Sequence, residues 1–187
     1  MTDDVDLTMK VCFLGDSSVG KTSLIKRFVY DIFGDKYLMT MGTKVTKKKM
    51  HVEIPEYDKT FNLTFMIWDI IGDIHFRGLL HHSYLFGAAG ALIVCDMTRQ
   101  ETLDGLPSWI ESLHAEGDGN IPLLFMLNKS DLKDELKFSE DDVKKFSETY
   151  DSPFLSTSAK DGKNVEEAFK IMGRKLIDKH WKETEAT

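Results

Sequence analysis

Eight consecutive residues, Gly15-Asp16-Ser17-Ser18-Val19-Gly20-Lys21-Thr22, carry the spacing G-x-x-x-x-G-K-S/T, which suits phosphate binding. Gly15 and Gly20 let the backbone wrap tightly, so that successive N–H groups face inward at phosphate oxygens. A helix beginning at this point adds its positive end. Lys21 would bring a full charge to the β- and γ-phosphates, the Thr22 hydroxyl would ligate Mg²⁺, and Ser23 closes the row of candidate contacts. The motif needs a strand before it and a helix after it. The apolar run through Leu14 and the helical pattern Ser23–Phe28 supply both.

The choice of base falls to a later segment. Leu123–Leu127 reads as a buried strand ending in Asn128-Lys129-Ser130-Asp131. Ligands of open α/β sheets bind at the carboxyl ends of strands, where this tetrad sits. Guanine offers two adjacent donors, N1–H and the 2-amino group, and the Asp131 carboxylate can accept both. Adenine would leave that carboxylate facing a lone pair. Asn128 can reach N7 and tie the loop together, and the Lys129 stem can lie over the base. In Ser158-Ala159-Lys160, after the short strand Phe154–Ser156, the Ala159 N–H is placed to donate to guanine O6.

The rest of the chain is compatible with a single domain around such a site. Its 187 residues suffice for a sizeable core. The net charge of −7 argues against nonspecific nucleic-acid binding, which needs a basic face. Cys12 and Cys95 lie in apolar strand-like runs and read as small buried hydrophobes in a reducing compartment. Strands are expected at Thr8–Leu14, Lys44–Ile54, Thr60–Asp69 and Ala88–Cys95. Lys44, Lys47, Lys48 and Lys49 give the second of these the charge of an exposed edge. Phe61, Leu63, Phe65 and Ile67 alternate with Asn62, Thr64, Met66 and Trp68 at strand period. Helical stripes run through Lys21–Tyr30, through Leu103, Leu106, Trp109, Ile110 and Leu113, through Val143, Phe146 and Tyr150, and from Val165 to Ile177. Asn164 and Glu167 are the expected capping pair of the last helix.

The phosphate loop, Trp68-Asp69-Ile70-Ile71-Gly72, Asn128-Lys129-Ser130-Asp131 and Ser158-Ala159-Lys160 occur in an order and separation that resemble a small GTPase of the Ras superfamily, most like the Rab branch. The resemblance spans roughly Met9 to Lys179. It implies an α/β fold, the three-layer P-loop NTPase or G domain: a six-stranded, mostly parallel sheet with one antiparallel edge strand and about five helices. Residues 8–181 would form that domain, with tails at 1–7 and 182–187. GTP or GDP and Mg²⁺ are the implied ligands. Thr40 matches the threonine that completes the Mg²⁺ shell and senses the γ-phosphate, and Asp69 matches the carboxylate holding Mg²⁺ through water. Gly72 matches the glycine whose N–H meets the γ-phosphate. Phe33 falls where an aromatic packs on the guanine, and Tyr37 where a tyrosine closes over the phosphates.

One departure concerns hydrolysis. After Asp69-x-x-Gly72 most of the family has a glutamine that orients the attacking water, and this chain has Asp73. Aspartate is shorter, lacks an amide donor and would oppose the γ-phosphate charge, so unassisted hydrolysis is expected to be slow. Ile71 adds bulk just before the glycine. Arg77 reads as a surface arginine and His75, His81 and His82 as structural or surface residues. The resemblance implies effectors, an exchange factor and an activating protein docking through switch loops 33–43 and 69–83, where Met39, Met41, Ile74 and Phe76 offer apolar contacts. A scaffold that binds GTP with little hydrolysis, and a P-loop kinase, are the other readings. The kinase reading is the poorest, because no acceptor-binding insertion or lid is evident in the sequence and the guanine tetrad is present. The sequence shows no signal peptide, transmembrane run, myristoylation glycine or C-terminal prenylation cysteine, so a cytoplasmic protein recruited through partners, without a direct lipid anchor, is expected.

Overall fold

The computed structural model describes residues 4–34, 42–72, 83–116 and 120–185. Six strands, β1 (Asp4–Leu14), β2 (Lys44–Ile54), β3 (Lys59–Asp69), β4 (Gly90–Asp96), β5 (Leu123–Asn128) and β6 (Phe154–Ser156), form one sheet in the order β2-β3-β1-β4-β5-β6. Only the β2–β3 pair is antiparallel. Five α-helices lie wholly within the described residues: α1 (Lys21–Tyr30), α2 (Gln100–Asp104), α3 (Leu106–Glu116), α4 (Glu140–Thr149) and α5 (Val165–Glu185).

Side-chain alternation sorts the helices into two layers. Val11 and Phe13 of β1, with Phe61, Leu63, Phe65 and Ile67 of β3, face a core shared with α1 and α5. Cys12 and Leu14, with Ile93, Cys95, Phe125 and Leu127, face a second core closed by Trp109, Ile110 and Leu113 of α3 and Val143 of α4. β4 is buried at every residue, as a central parallel strand covered on both faces must be. The two cysteines are buried, and loss of solvent pushes the Cys12 thiol up to about 12.

Several boundaries differ from the sequence expectation for physical reasons. β1 starts at Asp4 because β3 offers a parallel partner in register from Asp4↔Thr60 to Phe13↔Asp69. The stripe from Leu103 to Leu113 is two helices, broken at Gly105, with Pro107 tolerated in the first turn of α3. Lys44, Lys47 and Lys49 are exposed on the edge strand, but Lys48 folds back to donate to the Val29 carbonyl (3.2 Å). Asn164 does not cap α5 with Glu167. Its φ of 54° is unlike the extended backbone of a cap, and its side-chain amide donates to the Ser156 carbonyl (2.8 Å).

Between α1 and α5, Phe28 stacks on Phe169 with ring centroids 3.5 Å apart. Phe13 and Phe65 pack against Phe169 as well. α5 can lie this close because Gly173 faces the sheet: a Cβ there would stand 3.2 Å from Leu63 and 3.3 Å from Phe65.

Candidate functional site

The phosphate loop joins β1 to α1. Gly15 has φ 133° and lies so near β4 that a Cβ would meet the Val94 carbonyl oxygen at 2.1 Å. Ser18 (φ 64°) and Gly20 (φ 102°) complete the left-handed turns that curl the loop. α1 then starts with no acidic residue in its first turn and no side-chain cap, leaving its positive end facing the loop. Lys21 is 6% exposed, and its Nζ donates to the carbonyls of Gly15 (2.6 Å) and Asp16 (2.9 Å). Ser23, on the first turn of α1, is half-buried, and Val19 is fully buried.

Beside the lysine, the Thr22 hydroxyl donates to Asp69 Oδ2. Asp69 Oδ1 is buried with no hydrogen-bond partner among the described residues. Burial pushes this carboxyl above its ordinary value, against the pull of the Thr22 hydroxyl and the Lys21 ammonium. A hydroxyl next to an ionisable carboxylate with an orphaned oxygen is a hard-oxygen donor set that fits Mg²⁺. Gly72 approaches from the other side: a Cβ would lie 2.5 Å from the Asp16 carbonyl and from Lys21 Nζ. Its bare Cα is what lets the end of the β3 segment reach the loop.

The base-side residues converge at the carboxyl end of β5. Asn128, 1% exposed, donates from Nδ2 to the Val19 carbonyl (2.8 Å) and accepts at Oδ1 from the Ala159 N–H (3.2 Å). The Ala159 N–H, expected to face guanine O6, is thus turned to Asn128 in this structure. Ser158 donates to Asp131 Oδ1 (2.8 Å) and accepts from the Asp161 N–H (3.0 Å), which fixes the carboxylate. Lys129 has φ 64° and its ammonium pairs with Asp96 Oδ2 (2.5 Å). Lys160 is exposed, and Phe33 is 38% exposed after Ile32 at 55%.

Three residues support the site in ways that no sequence motif announces. Arg27 of α1 donates from Nε to the Ala159 carbonyl (2.9 Å) and from an Nη to the Lys160 carbonyl (2.6 Å), clamping the loop that carries them. Trp109 of α3 donates from its indole to Asp16 Oδ1 (2.8 Å), and Gly105 leaves room for the second oxygen of that carboxylate. Asp96, fully buried, gathers Lys129, Arg99 and Thr98. Burial alone would raise its carboxyl, but the bonds from Lys129 and Thr98 outweigh that and hold it below its ordinary value. Only Asp96 carried a signal, as an acid ending an apolar strand.

Tyr37, Thr40 and Asp73 lie outside the described residues, as do Met39, Met41, Ile74, His75, Phe76, Arg77, His81 and His82.

Compared with known families, residues 10–178 match the model of the Ras family. The chain belongs to the Ras family. Within it the similarity is to Rab-branch proteins. It is 36% identical over 168 residues to the Ras-related protein RABA4b of Arabidopsis thaliana, covering 90% of this chain and 72% of that protein. It is 35% identical to the GTP-binding protein YPT1 of Saccharomyces cerevisiae, over 94% of this chain and 82% of that one. It is 36% identical to the Ras-related protein Rab-22A of Homo sapiens, over 90% and 83%. This Ras-family chain is a small GTPase of the Rab branch, a GTP-binding switch that hydrolyses GTP. Among the described residues, no helix of this Rab-like protein is long and apolar enough to cross a membrane.

Proposed function

We propose that this GTPase grips GTP and GDP through the loop Gly15–Ser23, reads guanine through Asn128, Lys129, Asp131 and the segment Ser158–Lys160, and hydrolyses GTP slowly unless assisted. The observation that carries the reading is Asn128. One side chain ties the phosphate loop at Val19 to the base loop at Ala159, so both ends of a nucleotide would be held by one rigid unit.

Thr22, Asp69 and Thr40 would hold Mg²⁺, which when bound supplies charge neutralisation at the β- and γ-phosphates. Lys21 would leave its two carbonyl partners for phosphate oxygens and bring a full positive charge from a site already stripped of water. The Gly72 N–H would contact the γ-phosphate, and loss of that phosphate would release the segments carrying Thr40 and Gly72. Those segments, 33–43 and 69–83, would present effector, exchange-factor and activator contacts. Phe33 and Tyr37 would cover the base and the phosphates.

Asp73 is the reason to expect a slow reaction. It offers no amide to orient water, and its charge opposes the approach of a nucleophile to the γ-phosphate. The same residue favours a second reading, a GTP-bound scaffold that scarcely turns over. Single-turnover hydrolysis by the unaltered chain and by Asp73→Gln separates them. A strong acceleration in the variant supports Asp73 as the limiting residue, and an unchanged rate removes that explanation. An unaltered chain that cleaves no bound GTP within its nucleotide residence time favours the scaffold.

A further inference from the structure

We propose that Arg99, which follows β4, is a positioning residue that strengthens phosphate binding from outside the loop. Its Nε donates to Asp96 Oδ2 (3.0 Å) and its Nη2 donates to the Ser17 carbonyl (2.9 Å). Asp96 is itself fixed. It is fully buried, its Oδ1 accepts from the Thr98 N–H (3.0 Å) and hydroxyl (2.7 Å), and its own N–H donates to Thr102 (2.9 Å). The guanidinium is therefore a rigid two-ended strut between a held carboxylate and the phosphate loop.

The consequence follows from peptide geometry. Among the described residues no peptide bond is cis, so the N–H of the Ser17–Ser18 peptide points opposite to the Ser17 carbonyl. With the carbonyl turned out toward Arg99, that N–H points into the concave side of the loop, where a nucleotide's β-phosphate would lie. A cationic donor on the carbonyl polarises the peptide and makes its N–H a stronger donor. Arg99 thus delivers part of its charge to the phosphate through one amide without entering the site. Asp96 Oδ2 also takes Lys129, so the strut and the base loop share one anchor.

The proposal rests on the guanine-nucleotide reading, and the test separates the two. The unaltered chain, Arg99→Ala and Arg99→Lys are loaded with GDP. Release is followed by displacement, and the bound α- and β-phosphates by ³¹P resonance. Arg99 is about one-third exposed, so solvent weakens its contribution. Arg99→Ala is expected to release GDP roughly five-fold faster, with the β-phosphate resonance displaced and the α-phosphate resonance little moved. Arg99→Lys, a single ammonium unable to span both partners, is expected to restore less than half of the difference. Should Arg99→Ala fail to fold, the lysine variant carries both readouts by itself. Unchanged release, or faster release with an unmoved β-phosphate resonance, overturns the role of Arg99 and leaves the nucleotide reading intact. An unaltered chain that takes up no GDP overturns both.

Discussion

The Thr22 hydroxyl donates to Asp69 Oδ2 at 2.5 Å, joining the first turn of α1 to the last residue of β3. The bond satisfies one carboxylate oxygen and leaves the other buried without a partner among the described residues. Burying a carboxylate oxygen without a hydrogen-bond partner is a local strain.

That strain gives the first prediction. Burial raises the Asp69 carboxyl above its ordinary 3.8, so the folded state binds a proton more readily than the unfolded chain. The penalty is absent below 3.8, grows as pH rises through the raised folded value, and is full at neutral pH. Asp69→Asn is therefore expected to stabilise the chain, free of Mg²⁺ and nucleotide, by about 1 kcal/mol at pH 7, with the gain vanishing in acid. Mg²⁺-dependent retention of GDP should fall in the same variant. Calorimetry across pH checks the first part. A variant no more stable than the parent at pH 7 would contradict it.

Asp96 has the opposite sign. Its folded value lies below 3.8, so its contribution is full above 3.8 and drains away as pH falls through the folded value. Asp96→Asn is expected to cost about 2 kcal/mol at pH 7, because Lys129 and Arg99 lose their counter-charge. The gap to the parent should narrow as pH drops below 3.8. Denaturant midpoints at several pH values measure it, and a constant gap counts against the ionised pair.

Arg27 clamps two successive carbonyls of the base-side loop, those of Ala159 and Lys160. Removing it leaves the Ala159 peptide held by Asn128 alone among the contacts described above, so Arg27→Ala should release GDP about ten-fold faster. Arg27→Lys should recover part of the loss, since an ammonium reaches one carbonyl but not both. Stopped-flow displacement of a fluorescent GDP supplies the rates.

Asp131 is expected to discriminate through the guanine 2-amino group. The unaltered chain should bind inosine diphosphate, which lacks that group, at least ten-fold more weakly than GDP. Asp131→Ala should bind both weakly and alike. Titration calorimetry on the four pairs closes a double-mutant cycle, and a preference for GDP that survives in the variant would move base reading to another residue.

The phosphate loop and the base tetrad were legible in the sequence because their chemistry is local: glycines, a lysine and a hydroxyl within eight residues, an amide and a carboxylate within four. β3 was legible because it is buried on one face and its alternation survives. What escaped was mostly long-range. Trp109 and Asp16 are 93 positions apart, and Arg27 and Ala159 are 132 apart. No periodicity records which distant carbonyl an arginine will find. The break at Gly105 was hidden because the apolar stripe continues across it. β1 reaches back to Asp4, where Asp4, Asp6 and Thr8 alternate with the less exposed Val5 and Leu7, because β3 runs alongside it as far as Thr60.

The Asn128 amide fills the space that any side chain at Gly20 would claim, its Nδ2 only 2.2 Å from where a Cβ would sit. Such interlock would make release of a nucleotide held at both ends an all-or-none affair. A protein that levers open either end of the cleft must disturb the other, so a push on the helix start alone would suffice to eject the whole molecule.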